Sequence, residues 1–240
     1  MVSVKVEDLV VSYRSLNGIS IQKNFFKKRE KRQTYTAIDH ISFEVEKGAI
    51  LGLIGRNGSG KSTLLRAIGG MLAPDSGIID LKGQSVALLA IGVGFKLDMT
   101  GRENIYIAGL LLGFSQKEIR SREQEIIDFA ELEYFIDMPV RTYSSGMYSR
   151  LGFAITATLE TDIVLIDEVL SVGDERFQKK SYKKMQQLIS NKEKTVIICS
   201  HSRAVLGDLC SEILWLDDGK IVEFGSTEAV LEKYHKYMRE

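Results

Sequence analysis

The residues with the clearest chemistry form a glycine-rich loop at positions 55–62, which reads G-x-x-x-x-G-K-S. The pattern is typical of a phosphate-binding loop, because glycines let successive backbone N–H groups surround an anion. We expect Lys61 to reach the β- and γ-phosphates of a nucleotide and the Ser62 hydroxyl to hold Mg²⁺. The predicted nucleotide-binding residues of this stretch are Gly55, Asn57, Gly58, Ser59, Gly60, Lys61, Ser62 and Thr63.

Two acids and a histidine complete the predicted site. Asp167 and Glu168 follow one apolar run directly, and His201 comes shortly after another. Ligands of an open α/β sheet bind at the carboxyl ends of its strands. We therefore expect Asp167 to hold Mg²⁺ opposite Ser62, and Glu168 to polarise an attacking water. His201 would contact the γ-phosphate or orient the water. For the two acids, a plain strand cap is the alternative interpretation.

The elements that must position these residues indicate an α/β fold. An apolar, strand-like run precedes the loop, and apolar residues at helical spacing follow it until Pro74. Near-continuous apolar strands then alternate with helices, which favours a parallel sheet covered on both faces. We predict a P-loop (RecA-like) parallel-sheet core with an antiparallel β subdomain and an α-helical subdomain.

Composition narrows the class of protein. The chain has 240 residues, and its 32 Lys+Arg balance its 32 Asp+Glu, so overall charge gives no reason to expect a nucleic-acid or membrane partner. Cys199 and Cys210 lack metal-ligand spacing and are expected to be buried free thiols in a reducing compartment. No signal peptide is apparent, and the longest apolar-rich run is too short to span a bilayer. Any membrane span would then belong to another chain.

Residues 15–36 interrupt the predicted N-terminal strands with a basic segment. Two adjacent aromatics, Phe25 and Phe26, lie among its basic residues, which are Lys23, Lys27, Lys28, Arg29, Lys31 and Arg32. One interpretation is a surface that meets lipid headgroups or a partner. The other is a solvated basic loop, which is what a run of charges usually forms.

An ordered set of motifs carries a family resemblance across essentially the whole chain. The segment 143–147 reads YSSGM and lies about twenty residues before Asp167. It resembles the signature loop of the nucleotide-binding subunits of ABC transporters. The segment 171–174 resembles their D-loop, His201 their switch histidine, and Tyr13 the aromatic residue that stacks on adenine.

This resemblance implies an ATP hydrolase that uses ATP and Mg²⁺. Glu168 and His201 would be catalytic, Ser62 and Asp167 would hold the metal, and Asp174 would belong to the nucleotide site. The signature residues would serve the ATP of a second copy of the chain, so that two copies enclose two ATPs head to tail. Those residues are Ser144, Ser145 and Gly146.

Further segments resemble the exporters of teichoic acids, O-antigens and capsular polysaccharides. They are 92–95, 100–105 and 167–174, together with an insert such as 15–36, which in those exporters forms a gate element near the membrane. The resemblance implies a separate transmembrane permease subunit that meets residues 90–104. It also implies an indirect lipid-linked glycan or teichoic acid substrate, and a peripheral place on the cytoplasmic face of the cell membrane.

The predicted organisation is one ABC ATPase domain over 1–240. The predicted parts are an antiparallel β region (about 1–47 and 76–91), an ATP-binding core (48–75 and 160–225), an α-helical signature subdomain (92–159) and a C-terminal helix (226–240).

One position departs from the family pattern. A glutamine that touches metal and water should fall near Ala90 or Ile91, and Gln84 comes too early, so this role is unassigned. The sequence leaves two alternative functions to compare. A soluble ABC ATPase acting on nucleic acid or ribosomes would usually carry two cassettes, a long coiled coil or zinc-binding cysteines. The sequence shows none of these features, so no nucleic-acid partner is expected. Only the subfamily segments argue against an importer or multidrug ATPase.

Overall fold

Two β-sheets and a group of helices form the part of the chain that the computed structural model describes, residues 1–14, 34–89, 94–167, 174–200 and 203–239. The strands are β1 (Val2–Arg14), β2 (Thr34–Glu46), β3 (Ile50–Ile54), β4 (Ser76–Asp80), β5 (Val86–Leu88), β6 (Ile163–Ile166), β7 (Thr195–Cys199), β8 (Glu212–Asp217) and β9 (Lys220–Ser226). The helices are α1 (Lys61–Ile68), α2 (Gly101–Leu111), α3 (Gln116–Ala130), α4 (Ser145–Leu159), α5 (Glu175–Ile189), α6 (Arg203–Leu209) and α7 (Thr227–Tyr237), with a short 3-10 turn at Val140–Thr142.

The larger sheet has the strand order β5-β6-β7-β3-β8-β9. Its first five strands run parallel and β9 returns antiparallel to β8. Alternate residues of β6 serve opposite faces: Ile163 and Leu165 pack with α1 and the smaller sheet, whereas Val164 and Ile166 pack with α5. Burial on both faces explains why β6 and β7 are apolar at nearly every position. The predicted α/β fold class is confirmed.

The smaller sheet is antiparallel, with the order β2-β1-β4. The alternation of Val2, Val4 and Val6 with polar residues predicts one or two edge strands at the N-terminus. This prediction is wrong, because β1 is the middle strand and pairs on both sides. The predicted insert, residues 15–36, also extends too far at its C-terminal end. Thr34, Tyr35 and Thr36 belong to β2 and pair with Arg14, Tyr13 and Ser12.

Strand β5 belongs to the larger sheet and not to the antiparallel region in which the predicted boundaries place it. We assigned 76–91 to the antiparallel region, but β5 pairs in parallel with β6, and the Asp162 carboxylate accepts hydrogen bonds from the backbone N–H and hydroxyl of Ser85 at its start. A three-residue apolar strand carries too little periodicity to reveal its partner.

The helical subdomain consists of α2, α3 and α4 around their own apolar core. The apolar spacing predicts helical structure from Thr100 to Glu133, and the chain forms two helices within this range. Gly113, at φ +90°, ends the first helix, and a capping box of Ser115 and Glu118 begins the second. Across the described ranges, none of the helices combines the length and the apolar character needed to cross a membrane.

Candidate active site

The glycine-rich loop connects β3 to α1 in the conformation that its glycines allow. Gly58 and Gly60 have φ values of +84° and +104°, which side-chain-bearing residues rarely adopt. A Cβ at Gly60 would also lie 2.4 Å from the carbonyl oxygen of Ala37. Helix α1 begins directly after Gly60, which has no side chain to cap it. The N–H groups of the first turn can therefore bind an anion.

Lys61 is buried at the centre of the loop. Its Nζ donates to the carbonyl oxygens of Gly55 at 2.7 Å and Arg56 at 2.8 Å. The ammonium group thus lies beside the cavity but is held by the carbonyls of its own loop. Contact with a phosphate would replace one or both of these hydrogen bonds.

Ser62 and Asp167 meet although 105 residues separate them in sequence. The Ser62 hydroxyl, in the first turn of α1, donates to Asp167 Oδ1 at 3.4 Å, and Asp167 follows β6 directly. A hydroxyl and a carboxylate are hard oxygen ligands that suit Mg²⁺. Within the described residues no cluster of three or more His, Cys, Asp or Glu side chains could hold a metal. One or two protein oxygens, completed by phosphate and water oxygens, is the ligand set that Mg²⁺ commonly takes.

A cavity of about 250 Å³ joins these groups. It is lined by Tyr35, Ala37, Asn57, Gly58, Gly60, Lys61, Ser62, Thr63, Asp167 and Cys199. Most of the predicted loop residues therefore border one space, together with the predicted metal-binding aspartate. Gly55 and Ser59 are not among the lining residues. They pack against β8 and the turn after it, where the Ser59 carbonyl accepts a hydrogen bond from the Gly219 N–H at 3.2 Å.

Two tyrosines from paired positions of β1 and β2 contact the loop and the start of α1. The Tyr13 hydroxyl lies 3.2 Å from Thr63 Oγ1, and the Tyr35 hydroxyl donates to the carbonyl oxygen of Gly58 at 3.0 Å. Tyr13 was predicted as the adenine-stacking residue, and that role stays a prediction. Sequence reasoning missed Tyr35. The signal that could have found it is the strand-prone sequence Thr34-Tyr35-Thr36, which extends β2 at its start.

The signature residues lie outside this cavity. Ser144 caps α4, because its Oγ accepts the Met147 N–H at 3.2 Å, and Ser145 is exposed in the first turn. Asp174 caps α5 in the same way, accepting the Phe177 N–H at 2.9 Å. Neither these residues nor Gly146 are among the described residues that line the cavity.

Several predicted positions fall outside the described residues. They are Glu168, His201, the segment 171–173, the glutamine positions Ala90 and Ile91, Gly92 and Val93, and residues 15–33. Their neighbours are placed: Asp167 and Ser200 follow β6 and β7, which are adjacent parallel strands. Gln84 hydrogen-bonds to Ser3 and to the Leu81 carbonyl, so it serves the β-sheets rather than the cavity.

A second feature lies in the helical subdomain, at the segment 100–104. Thr100 and Glu103 form a capping box at the start of α2. The fully buried amide of Asn104 hydrogen-bonds to the backbone of Lys96, Met99 and Thr100. These contacts fix residues 96–100, whose apolar side chains Leu97 and Met99 are exposed. Tyr134, Phe135 and Met138 are also exposed, and their segment is joined to residues 99–102 by backbone hydrogen bonds, such as those from the Gly101 N–H to the Met138 carbonyl and from the Val140 N–H to the Met99 carbonyl. We call these five side chains the apolar patch.

A parallel sheet, a glycine-rich loop before a helix and an aspartate that faces the loop serine define a P-loop nucleotide-binding protein. The sequence matches the ABC transporter family over residues 38–171. The chain belongs to this family.

Similar proteins narrow the group further. The teichoic acids export ATP-binding protein TagH of Staphylococcus epidermidis is 41% identical over 239 residues, which cover 99% of this chain and 90% of that protein. The O-antigen export system ATP-binding protein RfbB of Klebsiella pneumoniae is 42% identical over 208 residues, covering 87% and 84%. TagH of Bacillus cereus is 41% identical over 239 residues, which cover 99% of this chain but 43% of that protein. The chain thus spans less than half the length of the Bacillus relative.

Solved structures share the fold. A dimeric ATP-binding cassette in a post-hydrolysis state, bound to ADP and Pi, superposes with a TM-score of 0.70 at 20% identity, covering 93% of this chain and 98% of that one. The ATP-binding subunit of an ABC transporter gives 0.71 at 21% identity, covering 97% and 93%. At such identities the likeness concerns the fold alone.

Proposed function

We propose that this chain is the ATP-binding and ATP-hydrolysing subunit of an ABC exporter, which moves a lipid-linked cell-surface polysaccharide or teichoic acid through a separate transmembrane subunit. The observation that carries the proposal is the meeting of Lys61, Ser62 and Asp167 at one cavity beneath a glycine-rich loop. The export function is supported by relatives named for teichoic acid and O-antigen export that match nearly the whole chain.

The proposal gives roles to residues of the cavity and to predicted site residues outside its described lining. The loop N–H groups and Lys61 bind the phosphates, and Ser62 and Asp167 hold Mg²⁺. The metal would supply charge neutralisation for the transferred phosphoryl group. Glu168 readies the attacking water and His201 contacts the γ-phosphate, because both follow strands that end beside Asp167. Tyr13 receives the adenine ring.

A second copy of the chain would complete the site. Ser144, Ser145 and Gly146 lie at the start of α4, where a helix N-terminus suits an anion, yet they do not line the cavity of their own chain. A two-fold pair would bring this surface to the other copy's phosphates. Asp174 would lie near the same boundary. One of the similar solved cassettes is a dimer bound to ADP and Pi.

The transmembrane partner would bind the apolar patch. Five large apolar side chains exposed together are unusual on a surface that meets only water. Two of them, Leu97 and Met99, belong to the segment 90–104, which we predict to face the permease. The permease would hold the chain at the cytoplasmic face of the membrane.

Purified protein tests the ATPase. We expect the wild type to hydrolyse ATP with Mg²⁺, and Lys61→Ala to lose ATP binding because the phosphates lose their buried cation. Glu168→Gln should keep ATP, remain dimeric and lose turnover. Lys117→Ala, an exposed lysine on α3, is the matched control and should behave as wild type. Full-rate hydrolysis by Lys61→Ala or Glu168→Gln would show that the assignments are wrong.

Export requires a test with the membrane subunit. We expect the chain to co-purify with a six-span membrane protein encoded beside glycan or polyol-phosphate polymerases. The double variant Leu97→Asp/Met99→Asp should lose this association while the isolated variant still binds ATP. Wild-type association of that variant would argue against the apolar patch as the docking surface.

A further inference from the structure

Tyr35 connects the smaller sheet to the phosphate loop. It lies on β2 opposite Tyr13 of β1, and its hydroxyl donates to the carbonyl oxygen of Gly58 at 3.0 Å. Its side chain is 51% exposed and lines the 250 Å³ cavity together with Lys61 and Ser62. Tyr35 belongs to none of the motifs that mark the loop, the acids or the signature segment.

The hydrogen bond acts at the loop glycine with open space around it, whereas Gly55 and Gly60 lie close to neighbouring backbone. A Cβ at Gly58 would meet no heavy atom of the described chain within 4 Å, so the space on that side of the residue is open. A glycine at φ +84° has many alternative conformations of similar energy. The contact with Tyr35 therefore selects one conformation among several.

The same contact fixes the plane of the peptide group between Gly58 and Ser59. The carbonyl side accepts the Tyr35 hydroxyl, and the N–H side donates to the carbonyl oxygen of Arg56 at 3.2 Å. Because a peptide group is planar, holding both sides sets its orientation. The Arg56 carbonyl also accepts Lys61 Nζ at 2.8 Å. The peptide group that Tyr35 orients is thus linked to the phosphate-binding lysine by two hydrogen bonds that share the Arg56 carbonyl oxygen.

We propose that Tyr35 is a positioning residue of the nucleotide site, which holds the phosphate loop in its binding conformation and forms one wall of the cavity. The inference rests on the proposed ATP site and adds a residue to it. Tyr13 and Tyr35 contact different parts of the site. Tyr13 contacts Thr63 in the first turn of α1, whereas Tyr35 contacts the loop before the helix begins.

The test compares Tyr35→Phe, which removes the hydroxyl, with Tyr35→Leu, which also removes the ring. The matched control is Tyr182→Phe on α5, where the tyrosine is 50% exposed and lies outside the cavity lining. Titration with a fluorescent ATP analogue and Mg²⁺ measures Kd, steady-state turnover gives KM and kcat, and thermal unfolding gives Tm.

Tyr35→Phe should raise Kd about two- to tenfold, the effect of one lost hydrogen bond. ATP and ADP should weaken alike, because the loop contacts the phosphates they share. KM should rise more than kcat falls, since the contact prepares binding rather than the transition state alone. Tyr35→Leu should weaken binding further, and Tyr182→Phe should match the wild type.

Two results would overturn the inference alone. The first is wild-type affinity in both Tyr35 variants beside a wild type that binds ATP. The second is a binding loss that tracks a lowered Tm and disappears at 10 °C, where every variant is fully folded. A wild type that binds no ATP would instead overturn the proposed function, and the inference with it.

Discussion

Replacing Gly101 by alanine should force apart two segments of the helical subdomain. Gly101 begins α2 against the signature segment, and a Cβ there would lie 2.2 Å from the Tyr143 hydroxyl and 2.9 Å from Ile136 Cδ1. The Ile136 methyl is a flexible end that can rotate away. The Tyr143 hydroxyl has less freedom, because it donates to the Phe135 carbonyl oxygen at 2.8 Å.

The expected loss of stability follows from these two contacts. Overpacking of this kind costs about 1–3 kcal/mol. If Tyr143 moves, its hydrogen bond to Phe135 is lost, at about 1 kcal/mol. Alanine returns up to ~1 kcal/mol through its better helix propensity. The free energy of unfolding should therefore fall by roughly 1–3 kcal/mol. Urea unfolding can follow this change through Trp215, the chain's single tryptophan, which is 5% exposed.

A double-mutant cycle decides whether the Tyr143 hydroxyl is the cause. Tyr143→Phe removes the oxygen that the new methyl would meet, so Gly101→Ala should cost at least ~1 kcal/mol less in that background. Gly207→Ala on α6 is the matched control, because a Cβ there meets nothing within 4 Å of the described chain, and it should be neutral or slightly stabilising. An equal cost of Gly101→Ala in both backgrounds would refute the reasoning.

Two further predictions concern buried polar groups. Asn104→Ala should lower the free energy of unfolding by roughly 2–4 kcal/mol, because it removes the side-chain hydrogen bonds to Lys96, Met99 and Thr100 and leaves the Lys96 N–H without its Asn104 acceptor. Urea unfolding measures it, and a loss below ~1 kcal/mol would contradict a stabilising role for this network. Burial raises the pKa of the Cys210 thiol to about 12, so in a Cys199→Ser background it should react with a thiol reagent at pH 8 only as the protein unfolds. Because the folded pKa lies above the unfolded one, this thiol contributes stability that is lost as pH rises from about 9 towards about 12. Rapid reaction of the native protein with the thiol reagent would contradict the burial of Cys210.

The meeting of Ser62 and Asp167 could be predicted from the sequence because the position of each residue follows from the short segment that contains it. The loop pattern specifies its own turn, and two parallel strands of one sheet end at the same edge. Distant residues then meet without any further information. The same reasoning places Glu168 and His201 near the cavity, and for those two residues it stays a prediction.

Other features needed information that no single stretch carries. Strand β5 has three residues, so its partner depends on the rest of the sheet. Tyr35 reaches Gly58 through the pairing of β1 with β2, and residues 15–33 separate the two strands in sequence. The hydrogen bonds of Lys61 to its own loop depend on a side-chain conformation, which residue type and spacing do not specify.

The pairing of Arg14 with Thr34 has an evolutionary consequence. The two residues face each other across adjacent strands, so the connection between them begins and ends at neighbouring positions. The entropy of closing such a connection changes slowly with length, by about 0.6 kcal/mol for each doubling. Lineages can therefore lengthen, shorten or exchange this stretch at little thermodynamic cost while β1, β2 and the phosphate loop keep their register. The joint between Arg14 and Thr34 is therefore a place where recombination can vary the chain without changing the two strands.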